Sequence, residues 1–261
     1  MKAITHHLHN STTVGGPELP PYAVGSEGEE IGPSVQESEP ITASNPRKAM
    51  SLLNKDQTRA HTIIKNHLLA HMAIRKPKQL LMMVIRPGGT GKTLLISTIT
   101  ETFRFHGVTG MLAKTASTGV AASLIGGETL HAWAGIPIAP SLTGDWTKKG
   151  LNKTIMKHTK NIGGLTAYLA HDKTSMTTKS ILACLSQAAS KVRAGKGTAD
   201  RTAAFGRLNV ILFSDFHQFP PVNDPSGALY CDRPLKDKPR ALIGREIYLQ
   251  FDKVVILKEL K

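Results

Sequence analysis

Residues 86–93 restrict the possible folds of this chain more than any other segment, and they read Arg-Pro-Gly-Gly-Thr-Gly-Lys-Thr. The segment follows a continuous apolar run, Leu80 to Ile85, and precedes a stretch that we expect to be helical from Lys92 to about Phe105. Glycines at this spacing let backbone N–H groups turn inward, and the helix N-terminus adds positive potential. A strand, a glycine loop and a helix in this order predict a phosphate-binding loop for a nucleoside triphosphate, whereas a chance Gly-Lys-Thr in a glycine turn is the alternative.

The side chains of this loop have distinct expected roles. Lys92 reaches the outer phosphates and Thr93 offers its hydroxyl to Mg²⁺, so ATP and Mg²⁺ are the expected cofactors. Arg86 stands where such loops usually open with glycine, and a side chain forced toward positive φ costs about 1–2 kcal/mol, which weakens the loop without abolishing it. The residues expected to contact the nucleotide are Gly88, Gly89, Thr90, Gly91, Lys92 and Thr93.

The composition favours a nucleic-acid partner and excludes a membrane protein. Lys and Arg outnumber Asp and Glu by 33 to 19, which gives a net charge of +14 and suits a polyanion. The apolar runs are far too short to span a bilayer. The two cysteines, Cys184 and Cys231, cannot form a disulfide framework, and the N-terminus has no secretory apolar segment. We therefore expect an intracellular protein; Cys184 reads as a small core side chain, and Cys231 carries no assignable role.

The chain divides into a tail and a folded body. Residues 1–46 are rich in Gly, Pro, Ser, Thr and Glu and hold six glutamates against one lysine, so we predict a disordered acidic tail. In residues 47–261, short apolar runs alternate with helix-like segments, which predicts an α/β fold with a mostly parallel sheet flanked by helices. The runs are 80–85, 111–113, 165–170, 208–213 and 254–257. Upstream of them, Asn54 and Gln57 have the spacing of a helix capping box.

Many protein families contain such a loop, and three further segments indicate which of these families the sequence resembles. They are Lys114-Thr115-Ala116-Ser117-Thr118-Gly119-Val120-Ala121-Ala122, Ile125 to Ile136, and Ser214-Asp215-Phe216-His217-Gln218-Phe219-Pro220-Pro221-Val222. Together they resemble the petite-integration-frequency (Pif) helicases, which are superfamily-one 5′-to-3′ DNA helicases related to RecD and to the helicase part of Helitron transposons. The resemblance covers about residues 50 to 260 and implies a RecA-like P-loop NTPase domain. The Gln-Phe-Pro-Pro-Val segment contradicts an unrelated P-loop kinase or transferase.

The resemblance implies residue roles in the nucleotide site. Gln57 is similar to a glutamine that reads the adenine edge, with the capping box as its alternative. Asp172 sits where the family holds Mg²⁺ through water, but the following Lys173 replaces the glutamate that activates the attacking water. Loss of a general base costs about 10²–10⁴ in rate, so we expect slow hydrolysis. Asp215 and Gln218 match a motif that senses the γ-phosphate, with Ser214 replacing a glycine there.

The resemblance also implies a path for single-stranded DNA. The turn at Thr118-Gly119 and the stretch from Thr129 to His131 are similar to elements that grip the strand through its phosphates. Trp133 either stacks on a base or fills the core. The basic segment 147–160 either adds phosphate contacts or forms a solvated face.

Family members place ATP between two RecA-like domains, the second of which supplies an arginine finger. This chain stops at Lys261, where the family enters its fourth motif, so we expect it to be the first motor domain, truncated before the second. An arginine finger contributes about 10³–10⁵ in rate in related systems, so slow turnover is expected. The leading hypothesis is that the chain is an ATP-dependent DNA helicase domain. It would act on nuclear or mitochondrial DNA, in repair, recombination, telomere maintenance or transposition. The alternative is an inactive remnant that only binds nucleotide or nucleic acid.

Overall fold

A six-stranded sheet forms the centre of the protein, in the strand order β3-β2-β4-β5-β1-β6. Every pairing between these strands is parallel, as the alternation of apolar runs and helical segments predicts. The strands are β1 (Leu81–Ile85), β2 (Leu112–Ala116), β3 (Glu128–Thr129), β4 (Tyr168–Asp172), β5 (Asn209–Ser214) and β6 (Lys253–Ile256).

The computed structural model describes residues 46–85, 91–136, 161–194, 203–215, 219–222, 224–231 and 238–258. The predicted tail therefore lies outside the described residues except for Pro46, and so does the basic segment 147–160. The same holds for four residues expected at the nucleotide site, which are Gly88, Gly89, Thr90 and Gln218, and for Arg86. In the described part of the chain, no helix is both long and apolar enough to cross a bilayer.

Seven α-helices lie within the described ranges. Helix α3 has the predicted bounds, and α2 begins with the predicted capping box: Asn54 Oδ1 accepts from the Gln57 N–H and Gln57 Oε1 accepts from the Asn54 N–H, both at 2.9 Å. The helices are α1 (Pro46–Ser51), α2 (Lys55–Met72), α3 (Lys92–Phe105), α4 (Gly119–Leu124), α5 (Leu130–Ala134), α6 (Lys179–Ala194) and α7 (Pro239–Tyr248).

Two apolar cores cover the two faces of the sheet. Helices α2, α3 and α4 pack against one face, where Ile211 and Phe213 of β5 point. Helices α5, α6 and α7 pack against the other, with Val210 and Leu212. Residues of both central strands, β4 and β5, are buried throughout, as expected for a parallel sheet covered on both sides. Cys184 is 3% exposed within the second core and is the small filler that the sequence predicts.

The observed β4 differs from the predicted strand. The apolar run predicts a strand over 165–170, whereas β4 spans Tyr168–Asp172. Leu165 is 81% exposed and precedes the strand, while the polar His171 pairs with Thr115 of β2. Hydrophobicity therefore misplaces the strand, because two polar residues at its carboxyl end take part in the sheet.

Candidate nucleotide and DNA site

The candidate site lies at the edge of the sheet where the parallel strands end. Ile85 at the end of β1 pairs with Ser214 at the end of β5, which Asp215 follows. Ala116 at the end of β2 pairs with Asp172 at the end of β4. Because carboxyl ends of parallel strands share one edge, the loops that the sequence singles out emerge side by side, as in other open α/β sheets that bind ligands there.

The described end of the phosphate loop has the conformation that a glycine permits. Gly91 adopts a left-handed conformation, with φ of 76° and ψ of 31°, and it precedes the first residue of α3. Lys92 is 9% exposed, and Thr93 presents its side chain at the surface. The start of α3 therefore presents a buried lysine and an exposed hydroxyl directly after the glycine, and their contact with a nucleotide stays a prediction.

Gln57 supports the loop from α2. Its side chain is fully buried, its Oε1 takes part in the capping box, and its Nε2 lies 3.5 Å from the carbonyl oxygen of Gly91. The capping alternative is therefore present in the fold. Recognition of adenine by the same residue stays a prediction.

Two buried carboxylates lie at the carboxyl ends of the neighbouring strands β4 and β5. Asp172 is 6% exposed and Asp215 is 1% exposed. Asp172 Oδ1 is buried without a hydrogen-bond partner among the described residues, as is Ser214 Oγ. A buried carboxylate oxygen without a partner is costly. A hydrated divalent cation beside Thr93 and Asp172 would satisfy it, so the donor set fits Mg²⁺, which prefers a few carboxylate or hydroxyl ligands and retained waters.

Lys173 occupies a constrained backbone position next to Asp172. It has a left-handed φ of 58°, which is unfavourable for a residue with a side chain. Its carbonyl oxygen accepts from Ser117 Oγ at 2.8 Å and from the Met176 N–H at 3.0 Å. The lysine side chain is half-buried, so a cation stands at the position where the family resemblance calls for a glutamate.

The residues predicted to contact DNA converge at the same edge. Thr118 caps α4 and Thr129 caps α5, each through its hydroxyl oxygen. Ala116 pairs with Thr129, so the two caps lie at the carboxyl ends of the neighbouring strands β2 and β3. A side chain at Gly119 would meet no atom within 4 Å, which leaves open space there. His131 is half-buried, and burial lowers its pKa below the usual value.

Trp133 lies inside the fold. Its side chain is 4% exposed and belongs to the core that α5, α6 and α7 form. The carbonyl oxygen of the same residue accepts from Asn161 Nδ2 at 3.2 Å. This burial supports the core alternative over stacking on a base.

A buried polar cluster, which sequence reasoning missed, lies beneath these loops. It consists of His171, Thr115, Ser117 and Thr177, and the His171 ring is 1% exposed. Burial, together with the nearby His131, lowers the pKa of His171 to about 3. The imidazole is therefore neutral, with one nitrogen that donates and one that accepts. In the sequence, the only sign of this cluster is the presence of polar residues within an otherwise apolar strand.

Comparison with known proteins identifies the same group that the motifs resemble. The family model for PIF1-like helicase matches residues 52–230. The ATP-dependent DNA helicase RRM3 of Saccharomyces cerevisiae is 35% identical over 136 residues, which are 51% of this chain and 17% of the relative. The uncharacterized protein 030L of Invertebrate iridescent virus 6 is 33% identical over 178 residues, 65% of this chain and 28% of that protein. The chain thus spans less than a third of either relative.

Solved structures share the fold. The crystal structure of Pif1 helicase from Candida albicans superposes with a TM-score of 0.56 at 24% identity and covers 80% of this chain and 40% of that one. The structure of Bacteroides Pif1 bound to single-stranded DNA gives a TM-score of 0.50 at 21% identity, over 80% and 42% of the two chains. The sheet and its flanking helices are those of a RecA-like domain.

Proposed function

This chain belongs to the PIF1-like helicase family, and on that premise we propose that it is the first RecA-like motor domain of an ATP-dependent DNA helicase. The observation that carries the proposal is the shared edge of the sheet, where Lys92, Asp172 and the Thr118-Gly119 turn emerge together. An ATP-driven motor requires nucleotide and DNA contacts on one rigid body. The carboxyl-end edge of the sheet would provide both kinds of contact.

In the proposed nucleotide site, Lys92 and the loop Gly88 to Gly91 hold the phosphates of ATP. Thr93 would hold Mg²⁺ through its hydroxyl, and Asp172 would hold it through water. Magnesium would neutralise phosphate charge and polarise the γ-phosphate. Asp215 and Gln218 would orient groups near the γ-phosphate. Gln57 would either read the adenine edge or serve only as the cap of α2.

In the proposed DNA path, a single strand crosses the carboxyl-end edge over α4 and α5. Thr118, Gly119, Thr129 and His131 would contact its backbone, and contacts to phosphates tolerate any base sequence. The net charge of +14 favours such a polyanion. Bacteroides Pif1, which shares the fold, is bound to single-stranded DNA in its crystal structure.

In a longer protein, a second RecA-like domain would close over the nucleotide and couple hydrolysis to 5′-to-3′ unwinding. We propose an intracellular setting with DNA, nuclear or mitochondrial, and a role in DNA repair, recombination, telomere maintenance or transposition. RRM3, a DNA helicase by its name, is the kind of relative that supports this proposal.

A second candidate function is nucleotide-dependent DNA binding without hydrolysis. Lys173 favours it, because a cation next to Asp172 cannot deprotonate water and opposes a metal ion. Steady-state ATP hydrolysis with and without oligothymidylate separates the two functions. A motor domain is expected to hydrolyse ATP faster with DNA, whereas a binding module stays at background in both conditions.

The variant Lys173→Glu extends this assay. If the general base is the only defect, the rate is expected to rise by about 10²–10⁴. Glutamate keeps a charged side chain at the same half-buried position, and Lys173→Gln serves as the control that removes the cation without adding a base. Absence of nucleotide binding by calorimetry in a folded wild-type sample would contradict both candidate functions.

A further inference from the structure

Two loops with different proposed ligands leave the sheet in contact with each other. Strand β2 continues into Ser117 and then into the Thr118-Gly119 turn, while β4 ends at Asp172 and continues into Lys173. The Ser117 N–H donates to the Asp172 carbonyl oxygen at 3.3 Å, which extends the pairing of the strands beyond their ends. Ser117 thus makes the last backbone hydrogen bond to Asp172, the proposed magnesium ligand, and the proposed DNA contact at Thr118-Gly119 follows directly.

The hydroxyl of Ser117 joins these two loops. Ser117 Oγ donates to the Lys173 carbonyl oxygen at 2.8 Å and so uses its single proton on the residue after Asp172. Lys173 has a left-handed backbone, so its conformation depends on such contacts. A shift of Lys173 on binding of a metal and nucleotide would therefore be transmitted to Ser117 through this hydrogen bond, and the reverse.

Hydrogen bonds of the buried His171 ring hold the Ser117 hydroxyl in place through Thr177. His171 Nε2 lies 2.9 Å from Thr177 Oγ1, which lies 3.3 Å from Ser117 Oγ, and Nδ1 lies 3.0 Å from Thr115 Oγ1. With the proton on Nε2, each group donates to the next from His171 through Thr177 and Ser117 to the Lys173 carbonyl. Thr115 then donates to Nδ1, and every side-chain proton of these hydrogen bonds among His171, Thr115, Ser117 and Thr177 has an acceptor. Such chains strengthen each of their hydrogen bonds.

We propose that His171 is a positioning residue that couples the two ligand sites, because through Thr177 it sets the Ser117 hydroxyl and thereby the relative placement of Asp172 and the Thr118-Gly119 turn. This inference rests on the proposed function. His171 is buried and lies beneath both loops, so it acts through its neighbours. Magnesium nucleotide then changes the affinity for single-stranded DNA, and DNA changes the affinity for nucleotide by the same factor.

The test measures that factor in the full chain. Fluorescence anisotropy of a labelled oligothymidylate gives the dissociation constant with and without Mg²⁺ and a non-hydrolysable ATP analogue. We expect the two constants to differ by about fivefold or more in the wild type. Calorimetry with the magnesium nucleotide alone, and circular dichroism during heating, check single-ligand binding and folding.

A matched pair of variants separates coupling from simple packing. In His171→Gln the side-chain amide reaches the position of Nε2 and retains the hydrogen bond with Thr177. In His171→Asn the shorter amide reaches only the position of Nδ1, so it retains the hydrogen bond with Thr115 and loses the one with Thr177. We expect His171→Gln to keep most of the coupling factor. His171→Asn and Ser117→Ala are expected to reduce it to within about twofold of one while each ligand alone still binds.

His61→Asn is the control, since His61 is another buried histidine that contacts a threonine hydroxyl, Thr102 Oγ1 at 2.7 Å. It is expected to keep the wild-type factor. The proposal is overturned if His171→Asn keeps the factor, if His61→Asn loses it equally, or if the wild type binds both ligands independently. If His171→Asn does not fold, Ser117→Ala decides alone. Failure of the wild type to bind either ligand instead refutes the proposed function, and the inference with it.

Discussion

The two edges of the sheet differ in how completely their buried polar side chains are hydrogen-bonded. At the edge where the strands begin, Asn209 Oδ1 accepts from the Leu80 N–H and its Nδ2 donates to the Ala167 carbonyl oxygen. Gln79 Nε2 donates to the carbonyl oxygens of Ala204 and Leu208. These side chains join β1, β4 and β5 where the strands start, and their amide groups are used within the fold.

At the edge where the strands end, several buried polar atoms have no hydrogen-bond partner among the described residues. They are Asp172 Oδ1, Ser175 Oγ, Ser214 Oγ and His131 Nε2. The hydrogen bonds at the first edge contribute to the stability of the fold, whereas the polar atoms without partners at the second are available to a ligand. Substitutions at the two edges should therefore have different consequences, for unfolding at the first and for binding at the second.

The largest effect is expected for Asn209→Ala at the starting edge. The substitution leaves the buried Leu80 N–H without its acceptor and removes a second hydrogen bond to Ala167. We expect a loss of about 3 kcal/mol in the free energy of unfolding, measured by urea denaturation. Nucleotide affinity of the folded fraction should be unchanged. A weakened nucleotide affinity with unchanged stability would contradict the division between the edges.

The next effect is expected for Asp172→Asn at the ending edge. The amide removes a buried negative charge that has one unpartnered oxygen, so stability should stay the same or rise. Affinity for nucleotide in the presence of Mg²⁺ should fall by about 10–100-fold, because a ligand that holds the ion through water is lost. Calorimetry with Mg²⁺ and with EDTA measures this difference. The division fails if the variant unfolds more easily and binds nucleotide normally.

A smaller effect concerns His61, which lies between the two edges in the α2–α3 layer. Burial, aided by Lys65, lowers its pKa from 6.5 to about 4. The unfolded chain therefore binds the proton more readily, and the stabilisation is complete above pH 6.5 and is lost as the pH falls toward 4. Between pH 7.5 and 5, the wild type should lose about 2 kcal/mol more than His61→Gln.

Urea denaturation at the two pH values checks this prediction. If the free energy of unfolding depends equally on pH in the wild type and in His61→Gln, a group other than His61 takes up the proton on unfolding.

The smallest effect compares the two ends of one strand. Gly119 follows β2 and Gly110 precedes it, and a side chain at either position meets at most ordinary contacts. Gly119→Glu places a negative charge on the proposed DNA path, so affinity for oligothymidylate at low salt should fall by about tenfold. Gly110→Glu adds the same charge at the other edge and should change affinity little. Equal losses would point to net charge instead of a defined path.

The sequence predicts features that depend on local spacing. The Asn54–Gln57 box and the bounds of α3 follow from residues within a few positions of each other. The His171 cluster does not, because Thr115 reaches the ring only when β2 pairs with β4, and one-dimensional spacing contains no strand order. The role of Trp133 could not be predicted from local spacing either. An aromatic residue at helical spacing can fill a core or stack on a base, and only its packing against α6 distinguishes the two roles.

The position of β1 in the sheet has a consequence for synthesis. Its two neighbours, β5 and β6, both come late in the chain, and Leu80 meets Asn209 across 129 residues. During translation at about 5–20 residues per second, this apolar strand leaves the ribosome several seconds before any partner exists. The nascent chain must keep Leu81–Ile85 from associating with other chains during that interval, so chaperone supply and growth temperature should govern the yield of soluble protein.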